Sequence, residues 1–83
     1  DFIFIYKNTF RKYLHKEHMR VKKKDYNCIL NCIEEIKYYD VTLAEWRDAV
    51  IEHFETLPKT NNGNILAFLK ATKRYFDIDL TEY

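Results

Sequence analysis

The chain has 83 residues, about 10.2 kDa, with 14 Lys+Arg against 13 Asp+Glu, one Gly, one Pro and 47% hydrophobic residues. That length suits one small domain, and so few turn residues exclude a turn-rich sandwich, a collagenous repeat or a Gly/Pro linker. The 17% aromatic content excludes a disordered segment. No apolar run approaches the ~18 residues of a membrane span. Phe2 to Tyr6 is too short for a signal-sequence core and leads to no small-residue cleavage site, so the chain reads as soluble. It begins at Asp1 and closes on Thr81-Glu82-Tyr83, which reads as a piece of a longer protein. The expected fold class is all-α: a compact, four-helix bundle-like single domain over residues 1–83.

The near-neutral total hides a dipolar distribution. Residues 1–24 carry Lys7, Arg11, Lys12, Lys16, Arg20, Lys22, Lys23 and Lys24 against Asp1 and Glu17, a net +6. Residues 25–83 carry six bases against eleven acids, a net −5. Such asymmetry points to an anionic partner for one end, or to a basic end meeting an acidic face in a second copy of the chain.

A first helix is expected over 2–20. Ile3, Tyr6, Phe10, Tyr13 and Leu14 fall on one stripe, with Arg11, Lys12, His15 and Lys16 opposite. Its apolar start, Phe2 to Tyr6, also fits a short strand. Asp25 is an acceptable N-cap for a second helix over 25–39, with Tyr26, Ile29, Leu30, Ile33 and Ile36 inward. A third helix over 43–57 has the clearest signature: Thr42 and Glu45 form a capping box, and Val41 and Trp46 occupy the staple positions. Leu43, Trp46, Val50, Phe54 and Leu57 face inward, while Glu45, Asp48, Glu52 and Glu55 form an acidic stripe. Pro58 stops the helix. Asn61 or Asn62 then caps a fourth helix over 63–77, with Ile65, Phe68, Leu69, Thr72 and Phe76 inward and Lys70, Lys73 and Arg74 outside or at its edge.

His15-x-x-His18 and Cys28-x-x-x-Cys32 have the residue types of a tetrahedral zinc site. The plainer reading is two small, buried or half-buried thiols flanking a core face, reduced as in a cytoplasmic protein, and two solvated histidines, with no metal or cofactor. A cation approaching His15 is repelled by the basic face around it. No Gly-rich phosphate loop and no nucleophile-base arrangement is present, so the chain itself is not expected to be an enzyme and calls for no small-molecule substrate. Most aromatic residues fit core spacing better than a base-stacking platform. Tyr38 and Tyr39, closing the second helix, fit it least and are candidate interface residues.

The basic cluster is the strongest functional lead. Lys/Arg rows gain affinity for duplex DNA by releasing condensed counterions, without reading sequence. The DNA-binding candidates are Lys7, Arg11, Lys12, Lys16, Arg20, Lys22, Lys23, Lys24, Lys70, Lys73 and Arg74. In the alternative reading, a protein-interaction or oligomerisation domain, the partner-binding candidates are Glu45, Asp48, Glu52, Glu55, Tyr38 and Tyr39. A membrane-surface role for the first helix is disfavoured by its place within a series of capped helices.

The order of elements, carried by Lys22-Lys23-Lys24-Asp25-Tyr26, Asp40-Val41-Thr42 and Asn61-Asn62-Gly63-Asn64-Ile65 followed by Phe68-Leu69-Lys70, Lys73 and Phe76, resembles the core-binding, SAM-like N-terminal domain of phage and mobile-element tyrosine recombinases. Asp25 and Gly63 stand where that family often has Thr. The resemblance implies a domain that grips one side of a duplex, leaves catalysis to a separate domain, and uses the basic residues as backbone contacts. The layout is also similar to DnaD-type helical domains of phage replication and helicase-loader proteins.

Overall fold

The computed structural model describes residues 1–76, with the backbone alone at Lys73. Five helices follow one another: α1 (Phe2–Leu14), α2 (Lys23–Tyr38), α3 (Leu43–Glu55), α4 (Ile65–Lys70) and α5 (Thr72–Phe76). The fold is all-α. α1 packs against α3, and α2 packs against α4.

α1 is helical from its first turn, which settles the strand alternative for Phe2 to Tyr6. Asp1 caps it by accepting from the Phe4 amide. The helix buries Phe2, Tyr6 and Phe10, spaced four apart. It ends at Leu14, six residues short of the expected 20, where His15 turns left-handed (φ 57°) and donates its N–H to the Arg11 carbonyl. One further turn would bring Glu17 onto the apolar stripe, four residues beyond Tyr13, and bury a carboxylate without a partner.

α2 starts at Lys23, two residues before the expected cap. Asp25 is therefore not the N-cap but lies in the first turn, where the positive end of the helix dipole favours a carboxylate. Lys22 takes the cap position with no side-chain hydrogen bond. The buried face is Ile29, Cys32, Ile33 and Ile36. Tyr26 and Leu30, expected inside, are 42% and 39% exposed, because Cys32 centres the stripe on its other side.

In α3 the capping box is present: Glu45 N–H donates to Thr42 Oγ1 at 3.1 Å and Thr42 N–H donates to Glu45 Oε1 at 2.9 Å. Val41 packs against the core, and Trp46, Ala49, Val50, His53 and Phe54 are buried. Leu43, at the first helical position, is exposed rather than inward. The helix ends at Glu55, two residues before the expected 57. Pro58 forces Leu57 out of helical geometry, and Thr56 closes the end by donating both its N–H and its hydroxyl to the Glu52 carbonyl.

The turn at 61–64 is built by three asparagines acting in series. Asn61 accepts from Gly63 N–H, Asn62 from Asn64 N–H, and Asn64 from Leu66 N–H. The cap of α4 is thus Asn64, not Asn61 or Asn62. Gly63 between them is buried at φ 78°, and its carbonyl accepts the buried Tyr6 hydroxyl at 2.6 Å. A Cβ there would lie 3.0 Å from Phe10, 3.1 Å from Phe54 and 3.2 Å from Leu14. Gly63→Ala is expected to cost roughly 2–4 kcal/mol, from left-handed strain and overpacking together. Urea denaturation measures it, and a loss below about 1 kcal/mol would mean that the turn relaxes freely.

The expected fourth helix is two helices. At Ala71 the backbone leaves the helix (φ −101°, ψ 14°), and the fully buried Thr72 hydroxyl donates to the Leu69 carbonyl at 3.0 Å. That bond satisfies both a buried hydroxyl and a carbonyl near the end of α4. Ile65, Phe68, Leu69 and Thr72 are buried as expected, and Phe76 is half-buried. Residue 77, the expected end, lies outside the described residues.

Candidate nucleic-acid interface

Eight of the eleven DNA-binding candidates lie on one continuous stretch of chain. Lys7, Arg11 and Lys12 are exposed on α1, Lys16, Arg20 and Lys22 on the connector after it, and Lys23 and Lys24 in the first turn of α2. Arg11 is held by Asn8 Oδ1 at 2.7 Å and by Glu17 at 3.6 Å. Among the described residues the other seven have no carboxylate partner within ion-pair distance. Lys22, Lys23 and Lys24 also stand at the positive end of a 16-residue helix, where cations are disfavoured. The sequence therefore places charge where local stability argues against it.

The connector is tied down by a residue that the sequence reading left in solvent. His18 is half-buried. Its Nε2 accepts the Ile65 N–H at 3.1 Å, which leaves Nδ1–H to donate to the Met19 carbonyl at 2.8 Å. The ring stands edge-on to Tyr6 and Phe10. Met19 and Val21 pack against the core on either side of Arg20. The lysines thus project from an anchored backbone, so less ordering entropy is lost on binding.

The remaining three candidates are placed differently. Lys70 is exposed at the end of α4, and the Lys73 side chain lies outside the described residues. Arg74 lines a groove between α3 and α5 with Glu45, Asp48, Glu52, Tyr75 and Phe76, and its guanidinium lies 5.6 Å from the Tyr75 ring centroid. It belongs to the acidic side of the molecule rather than to the basic row. Glu55 is exposed at the end of the same stripe. Hydrogen bonds from the Thr42 backbone and then its hydroxyl hold the Glu45 carboxyl below its usual range. Tyr38 and Tyr39 are 79% and 54% exposed and meet edge to face, with ring centroids 5.5 Å apart.

The residue types of a zinc site are present, but His18 has both ring nitrogens engaged, and no group of three or more potential ligands converges among the described residues. Cys32 is buried, and burial, followed by the neighbouring Cys28, pushes its thiol up to about 11. It is a protonated packing group at neutral pH, not an activated nucleophile.

Sequence reading passed over His53. It lies seven residues after Trp46 on the apolar stripe of α3, which was the available signal. It is buried among Tyr6, Phe54, Phe68 and Tyr75, and its Nε2 has no hydrogen-bond partner among the described residues. Burial, then Arg74, lowers its pKa; burial also lowers that of His18, with Lys7 adding to it and the Met19 bond opposing it. Both histidines therefore fold in the neutral form. The unfolded chain binds protons at its ordinary value of 6.5, so stability is full above that pH and falls as pH drops through it toward the folded values. Thermal melts between about pH 8 and pH 5 should show this decline, above the carboxylate range. A His18→Gln/His53→Gln double variant should flatten it, and an unchanged slope in that variant would refute the assignment.

No helix among the described residues is long and apolar enough to cross a membrane. No protein-family model, curated protein or solved structure matches the chain.

Proposed function

We propose that this chain is a DNA-binding helical module that contacts the phosphate backbone of a duplex through α1, the 15–22 connector and the start of α2. The carrying observation is the row of exposed cations, seven of them without a carboxylate partner among the described residues, on a connector fixed by His18. Phosphate contact of this kind holds and orients a duplex and carries no base readout. The resemblance to recombinase core-binding and DnaD-type domains supplies the setting, a cytoplasmic or host-intracellular recombination or replication protein whose chemistry resides elsewhere. Lys70 and Lys73 remain accessory contacts in this reading. Arg74, beside three carboxylates, contributes little to it.

A second reading, a protein-interaction or oligomerisation module, is favoured by the Tyr38–Tyr39 pair and the acidic groove. The deciding experiment is fluorescence anisotropy of a labelled mixed-sequence duplex. With about six phosphate contacts, affinity should fall roughly a thousandfold between about 50 and 200 mM salt. Absence of binding at the lower salt overturns the DNA reading. Sedimentation at the same two salts then tests self-association.

A further inference from the structure

Apart from Lys12, the groove between α1 and α3 is left unused by the DNA reading. Its lining includes half-buried Ile5, Tyr13 and Ile51, the cations Lys12 and Arg47, and Phe4, which is 65% exposed. Among the described residues no carboxylate lines it. The two edges of α3 thus differ in sign: Arg47 belongs to this groove, whereas Glu45, Asp48 and Glu52 belong to the groove beside α5. At about 270 Å³ the α1–α3 groove falls below the usual range of enclosed small-molecule pockets, and it suits side chains presented by a macromolecule. A phosphate backbone satisfies Lys12 and Arg47 but gains nothing from Ile5, Tyr13, Ile51 or a bare phenyl ring. An occupant that uses all of these carries apolar anchors and negative charge on one surface.

We propose that the α1–α3 groove docks an acidic amphipathic helix of a partner protein. Its bulky apolar side chains seat against Ile5, Ile51 and Phe4, and its carboxylates meet Lys12 and Arg47. Helix-in-groove recognition of this kind places anchors at i, i+3 or i+4, and i+7, with complementary charge at the rim. The site shares Lys12 with the proposed DNA surface on α1, but Phe4 and Arg47 lie outside the DNA-binding candidates, so replacing those two tests the groove without removing a proposed DNA contact.

The probe is a fluorescein-labelled acidic peptide of about 16 residues, long enough to form a helix on contact, with Leu or Phe at the anchor positions and Glu between them. A scrambled peptide of equal composition is the control. Saturable binding is expected, weakened about tenfold or more by scrambling, by Phe4→Ala and by Arg47→Glu. Both replaced side chains are exposed, and circular dichroism checks that the variants fold. Equal binding of the scrambled peptide, or an unchanged Phe4→Ala affinity, would overturn the proposal by reducing the attraction to charge alone. A self-associated state of the free chain that Arg47→Glu dissolves would give the groove to a second copy and overturn it as well. The same variants titrated with duplex DNA separate the two sites: affinity within about twofold of the parent supports a distinct groove. A parallel loss of peptide and DNA binding merges the groove with the DNA surface and overturns it.

Discussion

Replacing Trp46 with alanine is expected to cost about 3–5 kcal/mol, the usual loss for a fully buried indole. A domain of 83 residues has roughly 4–12 kcal/mol of stability in total, so the variant should lose a large share of it and unfold at much lower urea than the parent. Trp46 earns this rank through its position. It stacks on Phe2 with ring centroids 4.8 Å apart, meets Phe68 edge to face at 5.2 Å, and lies parallel to Phe76 at 6.1 Å. Its Nε1–H donates to the Phe2 carbonyl at 2.9 Å, so a buried donor is satisfied across 44 residues of sequence. One side chain therefore joins α1, α3, α4 and α5. Far-UV circular dichroism and urea denaturation check the result. Trp46→Phe separates the terms, since it keeps most of the packing and loses the hydrogen bond, for about 1 kcal/mol from the bond itself. A loss under about 1.5 kcal/mol in Trp46→Ala would show that the core closes without it.

The second large effect concerns binding. Changing Lys16, Lys23 and Lys24 to glutamate should weaken duplex binding by well over tenfold at low salt and reduce the salt slope by about 3. Charge reversal at surface sites often invites the objection that the variant has unfolded. Here the objection is weak, because Lys23 and Lys24 lie in the first turn of α2, where a carboxylate is favoured by the helix dipole and a cation is not. The melting temperature should hold or rise while affinity falls. Opposite movement of stability and binding is difficult to obtain from a purely structural residue. Unchanged DNA affinity in the folded variant would remove the connector from the proposed interface. Reversing Glu45, Asp48, Glu52 and Glu55 serves as the counter-experiment: DNA binding should persist or strengthen, whereas a complex or dimer held by the acidic face should dissociate.

What the sequence by itself determined follows from local chemistry. The all-α class, the capping box of Thr42 and Glu45, and the inward positions of Tyr6, Phe10, Val50 and Phe68 depend on spacing and side-chain type within one or two turns. The basic row from Lys7 to Lys24 and the acidic stripe of α3 were legible for the same reason. Tertiary structure decided the rest. The ends of α1 and α2 depend on where the connector returns to the core, and the Asn64 cap on how three equivalent asparagines divide the available amides. The break at Ala71 follows the burial of Thr72. His18 reads as a surface histidine beside charged neighbours until the α4 terminus arrives 47 residues later to donate to it. Arg74 reads as one more cation until α5 lays it beside Glu45, Asp48 and Glu52. Periodicity reports which face of a helix is apolar, but not which distant group will meet its edge. Partners separated by tens of residues leave no mark on local spacing, so the pairing of His18, the placement of Arg74 in the acidic groove and the sign of the α1–α3 groove were decided only by the packed chain.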